Sequence, residues 1–216
     1  MIFTVGNSKG GVGKSTCAVQ LAIGLAIEGE RVWLIDGDRQ ETSLSAITAR
    51  AESGRPMIAA SAYAEGATLR AQVMQQRGNY DHVVIDAGGR DSTALRAALT
   101  VSDAVLIPFL PRSFDVWALA DIAQIVDESR AVADLRAFAF VNRADPQSAD
   151  NREAAEAVAD YPGLELLDVR VSDRKAFANA SGAGLHVEEM KRRDQRACAE
   201  IDRLREAFFA AMSMAS

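Results

Sequence analysis

A doubly wound α/β fold, with a mostly parallel sheet covered by helices on both faces, is predicted by three observations. Short apolar, β-rich runs alternate with longer helical stretches along the 216 residues. Several runs, such as Val83-Val84-Ile85, are apolar at every position, as strands covered on both faces must be. A glycine-rich run from Ser8 to Thr16 separates the first apolar run from the first helical stretch, where folds of this class bind phosphate.

The expected strands are residues 2–6, 31–36, 57–60, 82–86, 104–109, 136–142 and 164–169. Helical stretches lie near 15–28, 41–52, 66–77, 91–101, 114–130 and 150–160, and a final helix is expected from Val187 to about Met212. Gly29 and Gly78-Asn79 stand where the first and third helices should stop. No repeat or low-complexity linker breaks the alternation, so a single domain over residues 1–216 is expected.

Twenty-four Lys and Arg against thirty Asp and Glu give a net charge of −6. An acidic chain is not a bulk nucleic-acid coat, so any DNA contact must come from a local patch. Two cysteines, Cys17 and Cys198, are too few and too far apart for a metal knuckle and suit a reducing compartment. No run of about 18 apolar residues predicts a spanning helix, and the first strand leaves no room for a signal peptide. A cytoplasmic protein is expected.

The run Ser8-Lys9-Gly10-Gly11-Val12-Gly13-Lys14-Ser15-Thr16 has the chemistry of a phosphate cradle. Three glycines without Cβ let the backbone curl and aim successive N–H groups at an anion. The helix that follows adds its own free N–H groups and the positive end of its dipole. Lys14 is placed to reach β- and γ-phosphates, and the Ser15 hydroxyl to ligate Mg²⁺. Ser8 departs from the standard P-loop pattern, which has glycine at that place.

Lys9 to Thr16 resembles the deviant Walker A box of the ParA/MinD family of dimerising P-loop ATPases, in which the glycine at the place of Ser8 is also missing. The resemblance implies that Lys9 reaches across a dimer interface to the partner subunit's nucleotide. It implies ATP or ADP with Mg²⁺ as cofactors, and nucleotide contacts along Lys9, Gly10, Gly11, Val12, Gly13, Lys14, Ser15 and Thr16.

Acidic residues at strand ends are the next candidates, because ligands collect at the carboxyl ends of such a sheet. Asp36 and Asp38 follow Val32-Trp33-Leu34-Ile35, and Asp86 follows Val83-Val84-Ile85. Asp86 resembles a Walker B aspartate, and Asp36 joins it and Ser15 as a candidate metal ligand. Asp36-Gly37-Asp38-Arg39-Gln40 resembles the family's first switch, which implies that Asp38 positions the attacking water. Lys9, Lys14 and Asp38 are thus the candidate catalytic residues.

Asp86-Ala87-Gly88-Gly89-Arg90-Asp91 occupies the place of the second switch, with glycines where the wider family commonly has prolines. With Pro111-Arg112-Ser113-Phe114-Asp115-Val116-Trp117, it is most similar to the compact, ParF-like plasmid-partition ATPases. The family also implies that Asn142, in Val141-Asn142-Arg143, binds the adenine base; an asparagine capping the next turn is the alternative. The loop from Asp168 to Lys175 should lie on the same rim.

In the last helix Met190, Ala197, Ile201, Leu204, Phe208 and Met212 form a stripe that should pack on the sheet. Its final residues carry no lysine or arginine, so a membrane-seeking end of the MinD type is not expected. Lys191, Arg192, Arg193 and Arg196 could contact DNA phosphates, or form a solvated face paired with Glu188, Glu189, Asp194 and Glu200. The resemblance favours DNA.

Together these features predict a switch ATPase that dimerises on ATP, binds nucleoid DNA nonspecifically and positions plasmid DNA or another large cargo. Such a protein needs a separate centromere- or cargo-binding adaptor that stimulates hydrolysis. The alternatives are a metabolic P-loop enzyme resembling dethiobiotin synthetase or the cobyrinate amidation enzymes, and a MinD-like membrane-associated ATPase. An iron–sulfur reductase fits less well, since Cys17 and Cys198 fall inside helices.

Overall fold

The computed structural model describes residues 1–89, 92–111, 113–145 and 150–214. Seven strands form one wholly parallel sheet: β1 (Ile2–Val5), β2 (Val32–Asp36), β3 (Ala59–Ala62), β4 (His82–Asp86), β5 (Ala104–Phe109), β6 (Arg136–Ala144) and β7 (Glu165–Ser172), in the order β3-β2-β4-β1-β5-β6-β7. Between them run α1 (Lys14–Ile27), α2 (Thr42–Glu52), α3 (Gly66–Gln76), α4 (Thr93–Leu99), α5 (Ser113–Arg130) and α6 (Asp150–Glu156). After β7 come α7 (Lys175–Gly182) and α8 (Gln195–Ser213).

Alternate side chains of the inner strands enter different cores, which explains the unbroken apolar runs. Phe3, Leu34, Val84, Leu106 and Phe138 meet α1, α2, α7 and α8 on one face. Trp33, Ile35, Val83 and Ile85 meet α3 and α4 on the other, and Val105, Ile107 and Ala139 meet α5 and α6. The fold class is therefore the doubly wound α/β arrangement expected.

Three local differences from the sequence expectation have physical causes. The third strand lies two residues later, at Ala59–Ala62; it is an edge strand with only half-buried positions, so its pattern is weak. Helix α7 was not foreseen, because its eight residues fall short of the window of about 11 over which a helical period can be read; Phe177, Ala180 and Ser181 are its buried anchors.

The expected helix from Val187 is two elements. A 3₁₀ turn at Val187–Glu189 is closed by a capping box between His186 and Glu189, after which Met190 is extended. Helix α8 begins at Gln195, where Asp194 accepts the N–H groups of Arg196 and Ala197 at 3.0 and 3.2 Å. The apolar stripe holds within α8: Ala197, Ile201, Leu204 and Phe208 are buried, and Phe208 packs against Phe3 and Phe138 with ring centroids 5.2 and 5.6 Å away.

The ends of α8 are pinned to opposite ends of two neighbouring strands, β6 and β7. Ala211 accepts a 2.7 Å hydrogen bond from Arg136 at the start of β6. Near its other end, Glu200 accepts the Ser172 N–H at 2.9 Å, at the carboxyl end of β7. The basic residues before α8 therefore stand by the rim that carries the phosphate loop.

Candidate nucleotide site

The loop between β1 and α1 is held in shape by glycine conformation and by neighbours outside it. Gly11 and Gly13 adopt left-handed backbone angles, with φ of 77° and 89°. A Cβ at Gly13 would lie 2.4 Å from Asn142 Nδ2, so no side chain fits there. Buried Asn7 accepts the Lys9 N–H at 3.0 Å and donates to the Pro108 carbonyl at 2.9 Å, which ties the loop's entrance to the end of β5. Asn142 donates to the Val12 carbonyl at 2.7 Å, and Arg143 to the Gly11 carbonyl at 3.2 Å.

Lys14 is buried and its ammonium donates to the Lys9 carbonyl at 2.7 Å. Burial lowers its pKa, while Asp86 and Asp38 pull it upward. The Lys9 backbone thus lies against Lys14, and Gly10 and Gly11 beside it are exposed.

Asp36 and Asp86 are paired across β2 and β4, and Asp86 also lies opposite Val5 of β1. Their environments differ. One Asp36 oxygen accepts the Asp38 N–H at 2.9 Å; the other accepts the Ser43 and Leu44 N–H groups at 2.8 and 3.0 Å. Asp36 therefore shapes the first switch and caps α2, with both carboxylate oxygens accepting backbone amides.

Asp86 is equally buried, yet neither of its oxygens accepts a well-formed hydrogen bond among the described residues. Burial pushes its carboxyl up to about 7; the nearby Asp36 adds to this, and Ser15, Ser43 and Lys14 partly offset it. A buried carboxylate left without donors, beside a serine hydroxyl and a lysine, fits a site for a divalent cation and its phosphate. Among the described residues the Ser43 hydroxyl, buried beside Asp86, likewise makes no well-formed hydrogen bond.

Asp38 is half-exposed; one oxygen accepts the Gln40 N–H at 3.1 Å. Gly88 and Gly89 lie close to this group and to the phosphate loop. A Cβ on Gly88 would stand 3.0 Å from an Asp38 oxygen, and one on Gly89 would stand 3.1 Å from Gly10 Cα and 3.2 Å from Lys14 Nζ. The glycines that replace the wider family's prolines here permit close contact. Arg90, Asp91 and Arg112 lie outside the described residues, as do the side chains of the Ser113 to Trp117 run.

Two cavities meet at this loop. An open cleft of about 1070 Å³ is lined by Gly10, Lys14, Ser15, Asp38, Gly89 and Arg143 among others. A smaller cavity of about 240 Å³ lies behind Gly13, walled by Thr16, Cys17, Asn142, Arg174, Phe177 and Ile201. The first has the cations and N–H groups for phosphates, and the second has the size and apolar walls for a base. Asn142 lines the base-sized cavity, but its amide nitrogen is used on Val12, which leaves its carbonyl oxygen for an incoming donor.

Of the expected rim from Asp168 to Lys175, the part at the cavity is Val171 to Arg174, because β7 extends through Ser172. Arg174 forms a fork onto Glu200 of α8, with its closest contact at 2.8 Å, and pairs with Asp194 at 3.6 Å. Lys191, Arg192 and Arg193 are exposed but precede α8 rather than lying on it; Arg196 is exposed in its first turn. Glu189 and Glu200 do not neutralise them, since Glu189 is bound to Arg50 and Glu200 to Arg174. Sequence reasoning missed Asn7 and Arg143, whose roles come from loop geometry rather than any motif, and reached Asp173 and Arg174 only as part of the expected rim. Cys17 is buried with its thiol pushed up to about 12, so it is a wall and not a nucleophile.

Fold and site together define a P-loop nucleotide-binding protein on a parallel sheet. The chain belongs to the CobQ/CobB/MinD/ParA nucleotide binding domain family, whose model matches residues 3–187. It is 28% identical over 205 residues to the maintenance of carboxysome distribution protein A of Halothiobacillus neapolitanus, covering 93% of this chain and 92% of that protein. It is 27% identical over 204 residues to protein ParA of Rhizobium radiobacter, covering 93% and 91%. An ATP complex of a Cyanothece McdA variant shares the fold, with a TM-score of 0.77 at 16% identity over 96% of each chain. The family is one of ATPases, and it includes partitioning and positioning proteins of the ParA/MinD type. Among the described residues, no helix is long and apolar enough to cross a membrane.

Proposed function

We propose that this chain is an ATP-driven positioning switch: Mg²⁺-ATP joins two copies into a dimer that holds nucleoid DNA, and an adaptor-stimulated hydrolysis releases it. The observation that carries the proposal is the phosphate end of the site. It opens on the surface as a wide cleft lined by exposed Gly10 and Gly11, and half-buried Lys9 directly precedes them in the chain. A second subunit would close that end, and Lys9 of each subunit would meet the other's nucleotide.

Within each subunit the P-loop amides and Lys14 would hold the phosphates. Ser15 and Asp86 would hold Mg²⁺, which shields phosphate charge when bound. Asp38, half-exposed in the first switch and facing Gly88 of the second, would orient water toward the γ-phosphate. Thr16, Phe177 and the Asn142 oxygen would receive the adenine. Hydrolysis would free the Gly88-Gly89 loop to move.

Lys191, Arg192, Arg193 and Arg196 stand at the same rim, so a dimer would present two such patches to DNA phosphates. The relatives' names support a positioning role and leave two cargo classes: plasmid DNA, or a large protein assembly of the carboxysome kind. Either requires an adaptor, and the protein would be cytoplasmic and nucleoid-associated.

The test is DNA co-sedimentation with ATP, ADP or no nucleotide. Binding that needs ATP, and is lost in the Arg192→Glu/Arg193→Glu variant, supports the proposal. Turnover that depends on a small metabolite, with no response to DNA, would instead mark a metabolic enzyme.

A further inference from the structure

Asn142 and Arg143 are consecutive residues of β6, yet both side chains reach the same phosphate loop. Consecutive side chains of a regular strand point to opposite faces. Here the alternation is broken: Arg143 has a left-handed φ of 51°, and the pairing of β6 with β7 shifts register between Asn142 and Ala144. The twist brings Arg143 round to the loop. Its Nη1 donates to the Gly11 carbonyl at 3.2 Å, while Nε and Nη2 fork onto Asp173, each at 3.1 Å.

We infer that Arg143 is a positioning residue for the nucleotide, acting with Asn142 to turn two P-loop amides toward the phosphates. A peptide is planar and trans, so its C=O and the following N–H point in opposite directions. Holding the Gly11 carbonyl from the β6 side aims the Val12 N–H the other way, and holding the Val12 carbonyl does the same for Gly13. Asp173 orients the guanidinium from the far side, and its own N–H is fixed at 3.2 Å on the Ala144 carbonyl. Arginine suits this task because its rigid fork can serve two acceptors at once, which a lysine ammonium on a flexible stem cannot do in the same geometry.

The ion pair is exposed, with Arg143 and Asp173 side chains 47% and 60% accessible, so it adds little to global stability. Local order and global fold are therefore separable by experiment. The inference rests on the P-loop being a nucleotide site and adds how that site is preorganised.

The test compares wild type with Arg143→Gly, Arg143→Lys and Asp173→Asn. Glycine is chosen because it accepts the left-handed backbone without strain. In the nucleotide-free protein, the Val12 and Gly13 amide NMR signals should move in Arg143→Gly, and their hydrogen exchange should quicken by about tenfold, as loss of a charge-assisted hydrogen bond implies. ADP and ATP should both bind roughly five- to twentyfold more weakly, on the same reasoning. Arg143→Lys should recover part of the affinity, and Asp173→Asn should lose part. The thermal midpoint without nucleotide should barely change. Wild-type affinity and unchanged Val12 and Gly13 signals in Arg143→Gly would overturn the inference, as would an affinity loss that only accompanies a lowered midpoint. Failure of wild type itself to bind ADP would overturn the nucleotide site and this inference together.

Discussion

The Lys14 ammonium donates a 2.7 Å hydrogen bond to the main-chain carbonyl of Lys9, the residue that sets this phosphate loop apart from an ordinary one. Because the acceptor is backbone, shortening the Lys9 side chain leaves the anchor of Lys14 in place. Lys9→Ala should therefore keep ADP affinity within about threefold of wild type. Lys14→Ala removes the buried cation itself and should cost at least about a hundredfold, since hydrogen bonds to charged groups are worth roughly 1.5–3 kcal/mol and this one ion would make several. Fluorescence titration with a labelled ADP checks both.

Asp86 and His186 titrate in opposite senses as the chain folds. The Asp86 carboxyl is raised from 3.8 to about 7, so its contribution is fully present below pH 4 and is lost as pH rises through 7. His186 is a buried neutral imidazole lowered from 6.5 to about 4, chiefly by burial, so its contribution is present above 6.5 and lost as pH falls through 4. Between 4 and 6.5 the two oppose each other, and above 6.5 only Asp86 acts. In chelator and without nucleotide, the midpoint should fall from pH 6.5 to 8. Asp86→Asn should remove that fall and be more stable than wild type at pH 8. Scanning calorimetry across this range decides it; an identical slope in both proteins would refute the assignment.

Gly88 and Gly89 have different neighbours, and alanine should separate them. At Gly88 the new methyl meets the Asp38 side chain, which can turn aside; at Gly89 it meets the Gly10 backbone at 3.1 Å. Gly89→Ala should displace the loop and destabilise by about 1–3 kcal/mol, the usual cost of overpacking. Gly88→Ala should cost under about 1 kcal/mol but disturb Asp38, lowering ATP turnover more than ADP affinity. Urea denaturation and steady-state turnover measure the two effects.

Arg50 is an ion wholly inside the protein, 1% exposed, with donors on the Pro56 and Gly184 carbonyls and a two-point contact to Glu189. It fastens α2 to the turn before α8. Arg50→Ala leaves the mostly buried Glu189 with only the long Arg55 contact at 3.9 Å and the His186 N–H, so it should destabilise by about 3 kcal/mol. Thermal melting should show a fall of roughly ten degrees for a domain of this size.

The parallel sheet was legible because strands buried on both faces need unbroken apolar runs, and Val83-Val84-Ile85 leaves no other reading. Lys14, Asp86 and the three glycines stood out for the same kind of reason, since few residue types suit phosphate and metal chemistry at a strand end, and the structure brings them together around one loop. Asp36 was grouped with the metal-ligand candidates because a carboxylate that caps a helix and one that holds a cation look alike in sequence; only the Ser43 and Leu44 amides reveal the cap. Arg143 was invisible, since its role depends on a left-handed backbone angle that nothing in Asn142-Arg143-Ala144 announces. The break before α8 was signalled by Asp194 as a cap, but the apolar stripe ran past it and hid the stop.

The central claim is that ATP closes two copies of this chain through Lys9. Light scattering on purified protein with Mg²⁺ and either ATP or ADP tests it most directly, with Lys9→Ala alongside. Wild type should double its mass with ATP and remain monomeric with ADP, while Lys9→Ala binds ATP and stays monomeric. A wild-type monomer in saturating ATP and Mg²⁺, or a Lys9→Ala protein that dimerises as wild type does, would contradict the account.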